Sequence, residues 1–164
     1  MPEEQRLSRG NACQLLTDGT GERMHILLVE DNPHDVFFVQ HALKQVPQPI
    51  QLSVVQDGEQ AINFLFRVAP YAQVAPPDLV LLDIKMPRKT GIDVLVELGQ
   101  DQDLKRTPVI IFTSSDHPED INRCYELGAN AYIAKPTGLP NLVSAMTSII
   151  DFWGSCKFPN STTK

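Results

Sequence analysis

The sequence predicts an α/β fold of the doubly wound class, a single parallel sheet covered by helices on both faces. Three observations carry this. Short apolar runs alternate with stretches of helical period five times between residues 24 and 153. The runs are apolar on consecutive residues rather than on every second one, as in strands buried on both faces. Each run also ends in a polar or charged residue followed by a turn or cap former, as where Leu79-Val80-Leu81-Leu82 gives way to Asp83 and Pro87.

His25 to Val29 is the first strand, closed by Glu30-Asp31-Asn32-Pro33. Asn32 is a cap and Pro33 suits the first helical turn. Val36, Val39, Leu43 and Val46 then recur at helical spacing until Pro47 and Pro49 stop the helix. Ile50 to Val55 is the second strand, ended by the turn pair Asp57-Gly58. Ala61, Ile62, Leu65, Phe66 and Ala69 form the next helical stripe, and a Pro-rich connection over 70–77 leads to the third strand, Asp78 to Asp83. Thr90-Gly91 opens a helix with Ile92, Leu95 and Val96 inward, ended by Gly99 and the polar run to Arg106.

Pro108 to Phe112 is the fourth strand, with Thr113-Ser114-Ser115 at its carboxyl end. His117-Pro118-Glu119-Asp120 starts a helix with acids in the first turn, where the macrodipole favours them. Ile121, Cys124, Tyr125 and Gly128 share one face of it, and Gly128 is a stop signal. Asn130 to Ala134 is the fifth strand, ended by Lys135-Pro136. Leu139, Leu142, Val143, Met146, Ile149, Ile150 and Trp153 give the clearest amphipathic helix of the chain. Five βα units joined by right-handed crossovers make the flavodoxin-like class, with strand order 2-1-3-4-5.

Composition narrows the function. A chain of 164 residues buries one sizeable core without staples. The expected organisation is a flexible extension over 1–22, a folded domain over 23–154 and a polar tail over 155–164, with Met24 as a second candidate start. A net charge of −6 and no basic cluster argue against a DNA-binding surface. Cys13, Cys124 and Cys156 are odd in number and lack C-x-x-C spacing, which points to a reduced, cytoplasmic setting. No apolar run is long enough to span a membrane, and Glu3, Glu4, Arg6 and Arg9 do not fit a signal peptide.

Chemistry collects at the carboxyl ends of the strands, where open α/β sheets bind ligands. Strand one supplies Glu30 and Asp31, strand three Asp83, strand four Thr113, and strand five Lys135. Alone, Asp83 reads as a helix cap, a metal ligand or a nucleophile. Beside Glu30 and Asp31 at the switch point it becomes one of three mutually repelling carboxylates, a set that a hard divalent cation relieves. Mg²⁺ suits such a site, and Asp83 could then attack a phosphoryl group with Lys135 and Thr113 holding its oxygens.

These residues resemble the receiver domain of two-component response regulators. The likeness runs from about Met24 to Trp153 and rests on Val29-Glu30-Asp31-Asn32-Pro33, Leu82-Asp83-Ile84-Lys85-Met86-Pro87, Gly91, Thr113-Ser114 and Tyr132-Ile133-Ala134-Lys135-Pro136. The resemblance implies that Asp83 accepts phosphate from a histidine kinase. It further implies Mg²⁺ held by Asp31, Asp83 and the backbone carbonyl of Lys85, with Glu30 acting through water. Thr113 and Tyr132 would form the switch pair, and a cis bond before Pro136 would aim Lys135 inward. Asp31-Asn32-Pro33-His34-Asp35, Asp57-Gly58-Glu59-Gln60-Ala61, Phe64-Leu65 and Asp151-Phe152-Trp153 are similar to stand-alone receivers that serve phytochrome-type kinases of cyanobacteria and other bacteria.

That narrower resemblance implies a bacteriophytochrome kinase as donor and a homodimer through the face of helix four, strand five and helix five. A histidine phosphotransfer protein is a further expected partner, and slow autodephosphorylation an expected activity. Lys85, two places after the phosphoacceptor, is expected to alter the phosphate lifetime; equal dephosphorylation half-lives in wild type and Lys85→Asn would dismiss that role. Two rival readings are a receiver-like module that works without phosphate and an aspartyl-phosphate hydrolase of another α/β family. The first is disfavoured because the acids, Thr113 and Lys135 are all present. The second would need a nucleophile on strand one with a second acid two residues on, whereas Glu30 and Asp31 are adjacent.

Overall fold

The computed structural model describes residues 23–156. The extension expected over 1–22 and the tail from 157 on lie outside the described residues. In chain order the elements are β1 (Met24–Val29), α1 (Pro33–Leu43), β2 (Ile50–Val55), α2 (Gly58–Leu65), β3 (Leu79–Leu82), α3 (Gly91–Gln100), a short 3-10 turn (Leu104–Arg106), β4 (Val109–Thr113), α4 (Pro118–Glu126), β5 (Ala131–Ala134) and α5 (Leu139–Ser155). Every strand pair is parallel. The sheet order is β2-β1-β3-β4-β5, the flavodoxin-like topology expected from the sequence.

Side chains of successive strand residues point to opposite faces of the sheet, so the core divides in two. Leu27, Val29, Val80, Leu82, Val109 and Ile111 face α2, α3 and α4. Ile26, Leu28, Leu79, Leu81, Ile110 and Phe112 face α1 and α5. Because both faces are covered, β3 and β4 are buried along their whole length and the residues after them are held firmly in place.

Several inward faces differ from the sequence reading. In α3 the buried residues are Gly91, Val94, Leu95 and Leu98, while Ile92 and Val96 are half-buried. Asp93 closes a capping box with Thr90, which fixes the rotation of that helix and turns Val94 and Leu98 to the sheet. In α2 it is Phe64 that is buried, and Phe66 lies past the helix end and is exposed. In α4 only Cys124 is buried; Tyr125 is exposed on the outer side. Burial, with a smaller contribution from nearby Asp120, pushes the Cys124 thiol up to about 11, so it packs as a small apolar group. Ser155, expected in the tail, is the last residue of α5.

Asp57 does more than turn the chain. Its fully buried carboxylate caps α2 by accepting from Gln60 N–H at 2.8 Å, and it accepts from Arg88 Nε at 2.9 Å and Arg88 Nη2 at 2.5 Å. Arg88 stands in the left-handed region, with φ +64°, in the loop between β3 and α3. Next to this ion pair the Gly58 N–H donates to the Lys89 carbonyl at 3.1 Å, and a Cβ on Gly58 would come within 2.3 Å of that oxygen. The start of α2 is therefore clamped to the β3–α3 loop.

Burial alone would raise the Asp57 carboxyl, but the Gln60 N–H and the Arg88 guanidinium outweigh it and hold the group below its ordinary 3.8. The carboxylate thus adds stability above pH 3.8 that is lost as pH falls through the lower folded value. Asp57→Ala should cost about 2 kcal/mol in urea denaturation at pH 7 through loss of the cap and the buried acceptor. Arg88→Ala should cost about 1–2 kcal/mol, because it strips the cation from the fully buried Asp57 carboxylate while leaving the α2 cap in place. The gap between wild type and Asp57→Ala should narrow below pH 3.8.

Candidate functional site

The sheet register builds the site. Val29 of β1 pairs with Leu82 of β3, so the next residues, Glu30 and Asp83, leave the sheet side by side. Thr113 of β4 pairs with Ala134 of β5, and the Lys135 N–H donates to the Thr113 carbonyl at 2.8 Å, which continues the ladder one step and fixes the lysine at the same end. At Gly91 a Cβ would lie 2.3 Å from the Asp83 carbonyl, so only glycine lets α3 start this close to Asp83.

One carboxylate oxygen from each of Glu30, Asp31 and Asp83 lies within 4.8 Å of the others. Glu30 and Asp83 are buried, and Asp31 is exposed. Asp83 Oδ1 accepts from the Ile84 N–H at 2.7 Å and Oδ2 from Lys135 Nζ at 3.2 Å. Glu30 Oε1 accepts from the Asn32 N–H at 3.0 Å, and Oε2 from Lys135 Nζ at 2.5 Å. Burial raises the Glu30 carboxyl above its usual range, opposed by the bonds from Lys135 and Asn32. Burial would lower the Lys135 ammonium, but bonds to Asp35 and Glu30 and the charge of Asp83 raise it, so it stays protonated.

Thr113 is fully buried, and its hydroxyl oxygen accepts from the Ser115 N–H at 3.4 Å. The Tyr132 hydroxyl donates to the Ser115 carbonyl at 2.9 Å, and the Ser115 hydroxyl to Asp120 at 2.6 Å. The Tyr132 N–H, on the edge strand, donates to the Tyr125 hydroxyl on α4 at 3.1 Å. Thr113, Ser115 and Tyr132 are thus tied through one loop, and Tyr132 is tied to α4 as well. Lys85 is exposed two residues after Asp83.

Among the described residues the cis bond is Ala69–Pro70, so the cis bond expected at Pro136 is absent. Lys135 reaches the pocket without it, because the ladder bond to Thr113 sets its backbone and three carboxylates draw in its ammonium. The third of these is Asp35, whose Oδ2 lies 2.8 Å from Lys135 Nζ. Sequence reasoning missed this contact: an acid in the first turn of α1 reads as a complement to the helix dipole. Ser115 and Asp120 were missed for a similar reason, since a hydroxyl after a strand and an acid at a helix start each look local.

The acidic cluster fits a hard divalent cation. Its donors are all oxygen, they converge from two strand ends, and Asp31 makes no hydrogen bond or ion pair among the described residues.

The family model of the response regulator receiver domain matches residues 26–147. The response regulator Rcp1 of Synechocystis sp. is 37% identical over 138 residues, which is 84% of this chain and 94% of that protein. The structure of the phosphorylated cyanobacterial phytochrome response regulator RcpA superposes with a TM-score of 0.79 at 37% identity, over 84% of this chain and 99% of that one. The Mn²⁺-bound form of Rcp1 superposes with a TM-score of 0.76 at 37% identity, over 83% and 99% of the two chains.

Replacing Asp31 by Asn should weaken Mg²⁺ or Mn²⁺ binding in calorimetric titration by at least about tenfold. It should not lower the thermal midpoint of the metal-free protein, because the side chain is exposed and relieves repulsion when neutralised.

Proposed function

Because the chain belongs to the response regulator receiver domain family, we propose that Asp83 is its phosphoacceptor and a histidine kinase its phosphodonor. The observation that carries this is the meeting of Asp83, Glu30 and Lys135 at one strand-end pocket, with Lys135 Nζ 3.2 Å from Asp83 Oδ2. A carboxylate oxygen of Asp83 attacks the phosphorus of the kinase phosphohistidine, and the P–N bond breaks. The imidazole leaves with the electron pair and takes up a proton, while Asp83 becomes an acyl phosphate.

The neighbouring residues position this reaction. Ile84 N–H fixes the rotation of the Asp83 carboxylate, and Lys135 offers a positive charge to a phosphoryl oxygen. A cation, Mg²⁺ in this proposal, held by Asp31, Asp83 and the Lys85 carbonyl with Glu30 acting through water, would neutralise charge on the transferring oxygens. Water entering the same pocket gives slow autodephosphorylation. The Thr113 hydroxyl turns toward the phosphoryl group, and its loop carries Ser115 and hence Tyr132 with it. That coupling is supported by the Tyr132–Ser115 bond, which joins the switch aromatic to the loop that follows Thr113.

The output is a change in the surface of α4, β5 and α5, proposed here as a homodimer face, with a histidine phosphotransfer protein as a further partner. A phytochrome-type kinase is the donor this proposal favours, by likeness to the relatives named above. Phe37 and Phe38 are exposed on α1, the helix that brings Asp35 to the pocket, and offer a kinase apolar contact beside it. None of the described helices is long and apolar enough to cross a membrane.

Incubated with Mg²⁺ and phosphoramidate, the wild type should become phosphorylated and Asp83→Asn should not, as read by phosphate-affinity gel and intact mass. Labelling of Asp83→Asn at the wild-type rate would refute the assignment.

A further inference from the structure

A protonated lysine has three N–H donors, and in this pocket three carboxylates take them. Lys135 Nζ donates to Glu30, to Asp35 at 2.8 Å and to Asp83 at 3.2 Å. The ammonium is therefore fully committed before any phosphoryl group arrives, and it lies closer to Asp35 than to the proposed phosphoacceptor. To grip a phosphoryl oxygen on Asp83, Lys135 has to give up a bond.

The three bonds are not equally easy to give up. Glu30 is 1% exposed, and a buried carboxylate stripped of its cation is costly. Asp83 carries the phosphoryl group itself. The Asp35 side chain is 34% exposed and makes no other hydrogen bond or ion pair among the described residues. It lines, with Lys135, Phe38 and Thr137, a cleft of about 330 Å³ through which water can reach it. Its carboxylate can be rehydrated when the ammonium leaves. Asp35 also places a negative charge beside the ammonium that the phosphoryl oxygens need, and that charge repels them.

We propose that Asp35 is a positioning residue that competes with the phosphoryl group for Lys135, so that a carboxylate on α1 sets how readily Asp83 is phosphorylated. This rests on Asp83 being the phosphoacceptor. Both effects of Asp35, the held ammonium and the repelling charge, act in the same direction and oppose phosphorylation.

The test is phosphorylation by phosphoramidate at saturating Mg²⁺ over a range of donor concentrations, in wild type, Asp35→Asn, Asp35→Ser and Asp35→Glu. Asp35→Asn and Asp35→Ser should reach half-maximal phosphorylation at about three- to tenfold lower donor concentration, with Asp35→Glu close to wild type. Binding of beryllofluoride, a phosphoryl mimic that needs no turnover, should tighten by a similar factor in the first two variants. A merely structural role would shift the thermal midpoint but not these two quantities. Unchanged half-maximal donor concentrations, or higher ones in Asp35→Asn and Asp35→Ser, overturn the competition. Labelling that is absent in wild type, or persists in Asp83→Asn, instead overturns the phosphoacceptor assignment and this proposal with it.

Discussion

Holding like charges together is the constraint on which this structure depends. Carboxylate oxygens of Glu30, Asp31 and Asp83 gather within 4.8 Å at the carboxyl end of the sheet, and two of these side chains are buried. Repulsion and lost hydration would drive such a group apart or protonate it. Lys135 answers both, with one ammonium shared between Glu30 and Asp83 and anchored outward on Asp35. The lysine can do this because its backbone continues the β4–β5 ladder at Thr113. The far edge of the sheet thus supplies the counter-charge for acids that stand on its central strands.

The other half of the design lies behind Asp83. The loop that follows it is held from two sides. Gly91 lets α3 begin against the Asp83 carbonyl, and Gly58 with Asp57 fastens the Lys89 and Arg88 part of the loop to α2. These contacts are short and leave no room for a side chain at either glycine. A carboxylate that must present one oxygen in a defined direction benefits from backbone that cannot yield.

Much of this was legible in the sequence. Five apolar runs separated by helical periods predict the topology, and a parallel sheet then dictates that strand-end residues share one edge. For that reason Glu30, Asp31, Asp83, Thr113 and Lys135 could be gathered before any coordinates. What stayed hidden were contacts that depend on rotation and reach. The capping box of Thr90 and Asp93 starts α3 so that Val94 and Leu98 are fully buried, while Ile92 packs against the core only in part and Val96 is half-buried. Asp35 entered the sequence reading only as part of the Asp31–Asp35 stretch, and nothing in its spacing announced that Lys135 would cross from β5 to meet it. Pro136 illustrates the opposite failure, since the resemblance implied a cis bond that the lysine does not require.

Tyr125 has a consequence for assembly. β5 is the last strand of the sheet, and an outermost strand ordinarily offers its main chain to any passing extended segment. Here the N–H of Tyr132 is already taken by the phenol oxygen of Tyr125, which reaches down from α4. A second copy meeting this side finds that point of the backbone closed, so association there is steered toward side chains of the flanking helices and away from open-ended sheet extension. One phenol group thus closes that point of the sheet edge to extension by a further strand.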